Sequence, residues 1–200
     1  TMASSGTGLT AAAGTASALA RDSGGRARAV TLPAEEICVS APTWPFDPAT
    51  GRGRFEAREV PTAARCPVCG MFPARQRRWA AQVIYRDGDA HFFDAPADLH
   101  RFLAEVPRHA RGRARADVSA VWLSDWRSGA WIALNDAWHV AGSAQTGPMR
   151  TADLPSFANA AAAADFVRSH GGQVVAARQV DATQLRTLGP GPHRHAAGPA

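Results

Sequence analysis

The 200-residue chain has no lysine; all 22 of its basic residues are arginine. Exclusive arginine use beside abundant alanine, glycine and proline points to codon bias rather than to phosphate recognition. The formal charge of +5 is dispersed, although the sequence pI is about 10.3. No basic helix with interleaved aromatics is present, and RHARGRARA at 108–116 reads as a solvated loop. The nucleic-acid footprint is therefore missing. Cysteine is scarce as well. Three residues are too few for a disulfide scaffold, and the odd number leaves at least one unpaired. No apolar run reaches 18 residues, so no helix is expected to span a membrane. There is one C-x-x-C and no second, which removes the zinc ribbon.

The length suits one domain with tails, and a chain of this size buries roughly 70% of its unfolded surface. Residues 1–30 are small, polar and Gly-rich, as in a flexible leader. Within them TASALA ends in Ala18-Leu19-Ala20, an A-x-A cleavage pattern, so the leader reads as an export-segment remnant. Residues 31–63 form an extended arm punctuated by SAPTW, PFDPATG and EVP, with Trp44 and Phe46 as its anchors. The folded body is expected over 64–182, and 183–200 reads as a disordered tail ending in GPGPHRHAAGPA.

Inside the body, WAAQVIYRDG and AHFFDA read as two strands around an Asp87-Gly88 turn. PADLHRFLAEV places Leu99, Phe102, Leu103 and Val106 at helical spacing, and Pro107 is expected to end that helix. The pattern then recurs. Strand and turn are expected at 118–129, one or two short strands at 130–143, and a loop at 145–151. A helix at 159–172 ends on Gly171-Gly172, and a strand follows at 173–180. Each half reads strand, strand, helix, and a last strand closes the second. The fold class is α+β, built from two related units.

RCPVCGMF at 65–72 gathers Cys66, Cys69 and Met71 within six residues. Thiolate and thioether are soft donors, and methionine suits Cu(I) better than zinc. Gly70 permits the tight bend that lets Cys69 and Met71 serve one ion. One loop fills only part of a coordination shell, and an open shell lets a metal leave again. Other readings stay open at this point. A structural zinc would need His91, His100, His109 or His139, none at finger spacing. A redox dithiol would want a helix start in a βαβ unit, whereas a hairpin follows here. A plain Cys66–Cys69 disulfide is the simplest alternative. Cys38 stands apart and reads as an inert thiol. His193-Arg194-His195 in the tail reads as inert or as a weak adventitious Cu(II) site.

CPVCGM, the spaced Trp79-x-Ala81-Gln82-Val83, the DG turn and FFDAPADLHRFL together resemble the nitrous oxide reductase accessory protein family, NosL. The later blocks VWLSDWRSGAWIALNDAWHVAGS, TGPM at 146–149 and AAADFVRSHGGQVV agree with it, so the likeness spans about residues 64–182. The resemblance implies two ββαβ-like units related to part of organomercurial lyase. It implies an exported or periplasmic copper-binding metallochaperone, not an enzyme, serving nitrous oxide reductase or a similar cuproenzyme. Its Cys-Gly-Met motif falls on Cys69, Gly70 and Met71, with Cys69 and Met71 as Cu(I) ligands. Met149 matches its Gly-Pro-Met residue and is an accessory sulfur.

Cys66 is an addition to that motif, either a third ligand or a disulfide partner. The partner implied is a copper-accepting protein or a membrane maturation complex. Family members are often lipid-anchored, but ICVS at 37–40 is no lipobox, so membrane association would need an anchor elsewhere. Two chains sharing one ion would close the open shell, which makes a homodimer one arrangement to test. The competing class is a thiol oxidoreductase or a lyase-like enzyme using Cys66 and Cys69. Lyase chemistry would want an acid beside the thiols. Asp87, Asp89 and Asp94 are near in sequence, each with a turn or capping role that explains it.

Overall fold

The computed structural model describes residues 41–188. The leader, residues 31–40 of the arm, Cys38 and the 189–200 stretch with His193 and His195 lie outside the described residues. Two antiparallel sheets carry the fold. The first has the order β2-β1-β3-β4, from strands Ala81–Tyr85 (β1), Ala90–Phe93 (β2), Val118–Ser124 (β3) and Trp131–Ala133 (β4). The second has the order β6-β5-β7, from Trp138–Ala141 (β5), Ser156–Phe157 (β6) and Gln173–Ala176 (β7). Helices Pro96–Ala104 (α1) and Val106–His109 (α2) fall between β2 and β3. Helix Ala160–His170 (α3) falls between β6 and β7, and Ala182–Thr187 (α4) follows. The two ββαβ units are thus β1-β2-α1-β3 and β5-β6-α3-β7, each with its first strand in the middle.

Four expectations are corrected. The first unit is closed by its own third strand, since β3 pairs antiparallel with β1 from Ala81↔Leu123 to Tyr85↔Val118. The repeat therefore breaks after β4 rather than after α1. Pro107 does not end α1. The helix stops at Glu105, and Pro107 opens the next short helix, where its missing N–H costs nothing. The two-residue β6 leaves no period to read. The expected tail begins as helix α4, capped by Asp181, with Leu188 buried beside Ala97 and Leu154.

β1 is buried at all five positions because both of its faces are covered. Ala81, Val83 and Tyr85 pack with Phe93, Leu99 and Phe102. The opposite face carries Gln82 and Ile84. Ile84 packs with Val60, Ala64 and Phe92. Gln82 accepts from the Arg58 N–H and donates to the Arg58 carbonyl, both at 3.0 Å. That is why the strand reads as a continuous apolar run with one amide in it. The arm shields the β2 edge, where Trp44 and Ala90 exchange backbone hydrogen bonds of 2.8 Å. Gly88 has φ 93, and a Cβ there would lie 2.7 Å from Phe46 Cβ, so the DG turn holds the arm as well as the hairpin.

α1 is held by distant groups at its start and along one face. Its cap position, Ala95, has no side-chain acceptor. Asp153, from the loop between β5 and β6, supplies one. Its Oδ1 accepts from Ala97 N at 3.0 Å and Leu154 N at 2.8 Å. On its other face α1 carries His100, whose Nε2 lies 3.0 Å from His139 Nε2 on β5. Burial keeps both imidazoles neutral, His139 being lowered to about 4. Arg113, from the arginine-rich loop, ion-pairs with Asp87 and Asp89 of the DG turn. Among the described residues no helix is long and apolar enough to cross a membrane.

Two predictions test this frame. Leu99 is fully buried between α1 and the first sheet. Leu99→Ala should lower unfolding free energy by about 2–5 kcal/mol in a denaturant titration. Asp153 is raised from 3.8 to about 7 by burial, against the pull of its two N–H donors. The fold thus prefers its protonated form. Stability from this group is full below the ordinary value of 3.8 and is lost as pH rises through about 7. Asp153→Asn keeps an acceptor oxygen and should remove that slope. His100 and His139 titrate with the opposite sign, so the difference in Tm between variant and parent is the quantity to follow. A difference that stays flat from pH 4 to 7 would mean that Asp153 is already ionised in the fold.

Candidate metal centre

The loop that carries the sulfurs is closed on itself. Cys66 N–H donates to the Met71 carbonyl at 2.8 Å, and Gly70 N–H to the Cys66 carbonyl at 2.9 Å. Gly70 sits at φ 76, the left-handed bend expected of it. The closure splits the three sulfur residues between two sides. Cys66 and Cys69 are 1% and 7% exposed and point into the first core, whereas Met71 is 38% exposed at the surface. Phe72 next to it lies between the guanidinium groups of Arg65 and Arg75, at 4.3 and 4.5 Å. The rim of the loop is therefore cationic and the interior is sulfur.

Two carboxylates meet the buried thiols. Cys69 Sγ donates to Asp94 Oδ1 at 2.9 Å, and Cys66 Sγ lies 3.7 Å from Asp98 Oδ2. One ligand atom from each of Cys66, Cys69, Asp94 and Asp98 lies within 4.8 Å of every other. All four residues are buried. Cys66 and Cys69 are thiols, not a disulfide. Burial pushes the Cys66 thiol up, and the charges of Asp98 and Asp94 add to it. Cys69 is raised by its hydrogen bond to Cys66, then by burial and by the same carboxylates. Burial also raises Asp94. Asp98 has its own counter-charge, Arg101 Nη1 at 2.8 Å from Oδ1. Asp94 Oδ2 is buried with no hydrogen-bond partner.

Cys66, Cys69 and Asp94 are thus all shifted toward their protonated forms, and Asp98 is paired with Arg101. Ionising two thiols beside two carboxylates in a dry interior costs several kcal/mol per ion unless a cation arrives. A metal ion can supply that charge by replacing the protons.

Sequence reasoning placed the thiols correctly in one loop but missed the acids as partners. Asp94 carries no capping bond and faces Cys69 instead. Asp98, in the first turn of α1, faces Cys66. The available signal was the Asp94-x-x-x-Asp98 spacing at a helix start, which sets both carboxylates near the positive end of the helix. No histidine among the described residues joins this cluster. His91 bonds Tyr85 Oη and the Ala41 carbonyl. His109 bonds the Pro67 backbone. His100 and His139 hold each other. Met149 is half-buried on a loop closed by the Thr146↔Ala152 bridge. That loop stands on Asp153, since a Cβ on Gly147 would lie 2.5 Å from Asp153 Oδ2. Asp153 in turn holds the N–H of Ala97. The Gly-Pro-Met loop and the Cys-Gly-Met loop are thus both anchored at the N-terminal end of α1.

Comparison with known proteins bears on the fold and the family. The crystal structure of the copper chaperone NosL from Shewanella denitrificans aligns with a TM-score of 0.53 at 22% identity. It covers 64% of this chain and 98% of that one, which shows a shared fold. The solution structure of apo-NosL from Achromobacter cycloclastes aligns over 52% of this chain and 87% of that one, at 25% identity and a TM-score of 0.39. No curated protein sequence matches the chain. The NosL family model matches residues 57–185, well over half the length. This chain belongs to the NosL family.

Proposed function

We propose that this protein is an exported Cu(I) metallochaperone that hands copper to a partner during maturation of nitrous oxide reductase or a similar cuproenzyme. The observation that carries the reading is one closed loop with thiols on its inner side and a thioether on its outer side. To share a soft ion with Met71, Cys69 would have to turn outward from Asp94, and the ion would then sit at the surface, where a partner's sulfur can reach it. Cys66 lies within reach as a third donor, and Met149 belongs to the neighbouring loop. Family membership and the copper-chaperone name of the aligned structure support the same metal. An incomplete shell favours transfer over retention, which fits delivery better than catalysis. The receiving protein would dock on the Arg65, Arg75 and Phe72 rim.

An anaerobic Cu(I) titration against a chromophoric chelator tests this. The parent should take up one Cu(I) per chain. Cys69→Ala should lose at least about a hundredfold in affinity, and Met71→Ala less. Equal affinity in the parent and in Cys69→Ala would sink the copper clamp. The Met149→Ala variant reports whether the second loop contributes.

The same titration repeated across pH gives a further check. Both thiols are held protonated well above the ordinary thiol value of 9.0. Cu(I) must displace a proton from each thiol it uses, so affinity should rise about tenfold per pH unit per thiol through neutral and alkaline pH. A flat profile between pH 6 and 9 would exclude thiol ligation.

A second reading has one observation in its favour. Asp94 supplies the acid beside two thiols that lyase-type chemistry needs. An organomercurial R–Hg–X would yield R–H and X⁻ plus one proton, leaving mercury bound by both sulfurs. The proton that reaches the carbon comes from a thiol through Asp94. Failure of the pure protein to release hydrocarbon from an organomercurial removes this reading.

A further inference from the structure

The Cys-Gly-Met loop lies in a stretch of one charge sign. From residue 60 to residue 86 the chain has five arginines and no aspartate or glutamate. Four of them, Arg65, Arg75, Arg77 and Arg78, are exposed on the loop and on the short helix Pro73–Trp79 that follows it. Each lies over an aromatic ring. Arg65 and Arg75 share Phe72. Arg77 is 6.0 Å from the Trp131 ring of β4, and Arg78 is 5.8 Å from the Trp126 ring in the β3–β4 turn. The helix is pinned by buried Pro73 and Trp79, and Trp79 meets Trp126 edge to face at 4.8 Å.

These guanidinium groups differ from the others in what answers their charge. Arg101, Arg108, Arg113, Arg127 and Arg168 each pair with an acid. Of the four around the loop, Arg77 pairs with Glu59 at 2.9 Å. Arg65, Arg75 and Arg78 form no ion pair among the described residues. Stacking on a ring holds a guanidinium in place while most of its N–H edge stays open to an acceptor. Arg65 spends one such bond on the Gly70 carbonyl, at 3.2 Å, which ties it to the loop. Beside Phe72, Met71 stands 38% exposed. Arginine, methionine and aromatic side chains are the ones that protein interfaces favour.

We infer that this face docks an acidic protein surface, whose carboxylates meet Arg65, Arg75 and Arg78 around Met71. The inference deepens the delivery reading and takes the partner's role from it; the charge argument stands without copper. Exposed ion pairs add little affinity, so the arginines act mainly on encounter rate and on register. Their effect fades with salt, because the screening length falls from about 10 Å at 0.1 M to about 3 Å at 1 M.

The test begins with the metal-free, reduced protein. The probe is a labelled, glutamate-rich synthetic peptide with one methionine, followed by fluorescence anisotropy, beside a control peptide with glutamine for glutamate. The parent should bind the acidic peptide, ignore the control and lose binding as salt is raised. The combined variant Arg65→Gln, Arg75→Gln and Arg78→Gln should bind at least about tenfold more weakly. Arg52→Gln, Arg111→Gln and Arg186→Gln together remove the same charge from exposed positions elsewhere and should stay within about twofold of the parent. Lysine at 65, 75 and 78 keeps the charge and should restore most of the binding. Circular dichroism checks that every variant is folded.

Equal loss in the two glutamine variants would reduce the effect to net charge and overturn the surface. Lysine variants that fail like the glutamine ones would make the arginines structural and overturn it too. So would loss of binding to phosphatidylglycerol vesicles in the first variant with peptide binding retained, which would make the face a lipid surface. The last arm loads the parent with Cu(I) and times its transfer to the acidic peptide, which should slow in the first variant. Peptide binding by a protein that takes up no Cu(I) supports the surface and removes the copper reading. Copper uptake with no preference for the acidic peptide overturns the surface and leaves the copper reading standing.

Discussion

Most of what is chemically unusual here hangs on one hydrogen bond, from the N–H of Ala97 to Asp153 Oδ1. α1 has no cap of its own, because Ala95 stands where an acceptor would serve. The acceptor comes from 56 residues away, out of the second unit. That contact fixes the start of α1 relative to both sheets. Asp94 and Asp98 flank the same start, and their carboxylates reach the sulfurs of a loop that precedes the first strand. If α1 shifted by one turn, about 5.4 Å, neither acid would meet a thiol. Positioning of the thiol–carboxylate cluster and joining of the two units are therefore a single structural event.

The constraint has a cost, and the structure distributes it. Three carboxyls and two thiols lie buried near one helix end, with Arg101 as the cation paired to Asp98. Burial raises Asp153, Asp94 and the Cys66 thiol, and the hydrogen bond to Cys66, then burial, raises Cys69. Held protons keep the region from accumulating repulsive charge, at the expense of stability that a bound cation would restore. An apolar filling would be more stable in the empty protein. Retaining acids and thiols together makes sense where a positive ion comes and goes.

Much of the fold was legible because its signals are local. The DG turn, the apolar face of α1 and the paired glycines after α3 each sit within a few residues of what they control. β6 was not legible, because two residues carry no period and the strand exists by pairing with β5. α4 was masked by a Gly- and Pro-rich sequence just beyond it, although Asp181 and Gln184 form an ordinary capping box. The assignment of β3 to the first unit depends on pairing with β1 across 32 or more intervening residues, and only tertiary contact decides it. The site divided in the same way. Cys66, Cys69 and Met71 declared themselves by spacing. Asp94 had a bland local explanation, and its role follows from where α1 lands.

Cys69 is the residue on which the opposing demands converge. Its neighbours in sequence, Gly70 and Met71, lead to the surface, and its neighbour in space, Asp94, leads inward. Outward, Cys69 and Met71 would give a sulfur-rich and incomplete shell, of the kind that suits a soft ion in transit. A Cys-Gly-Met loop without Cys66 and the two acids would retain the outward half alone.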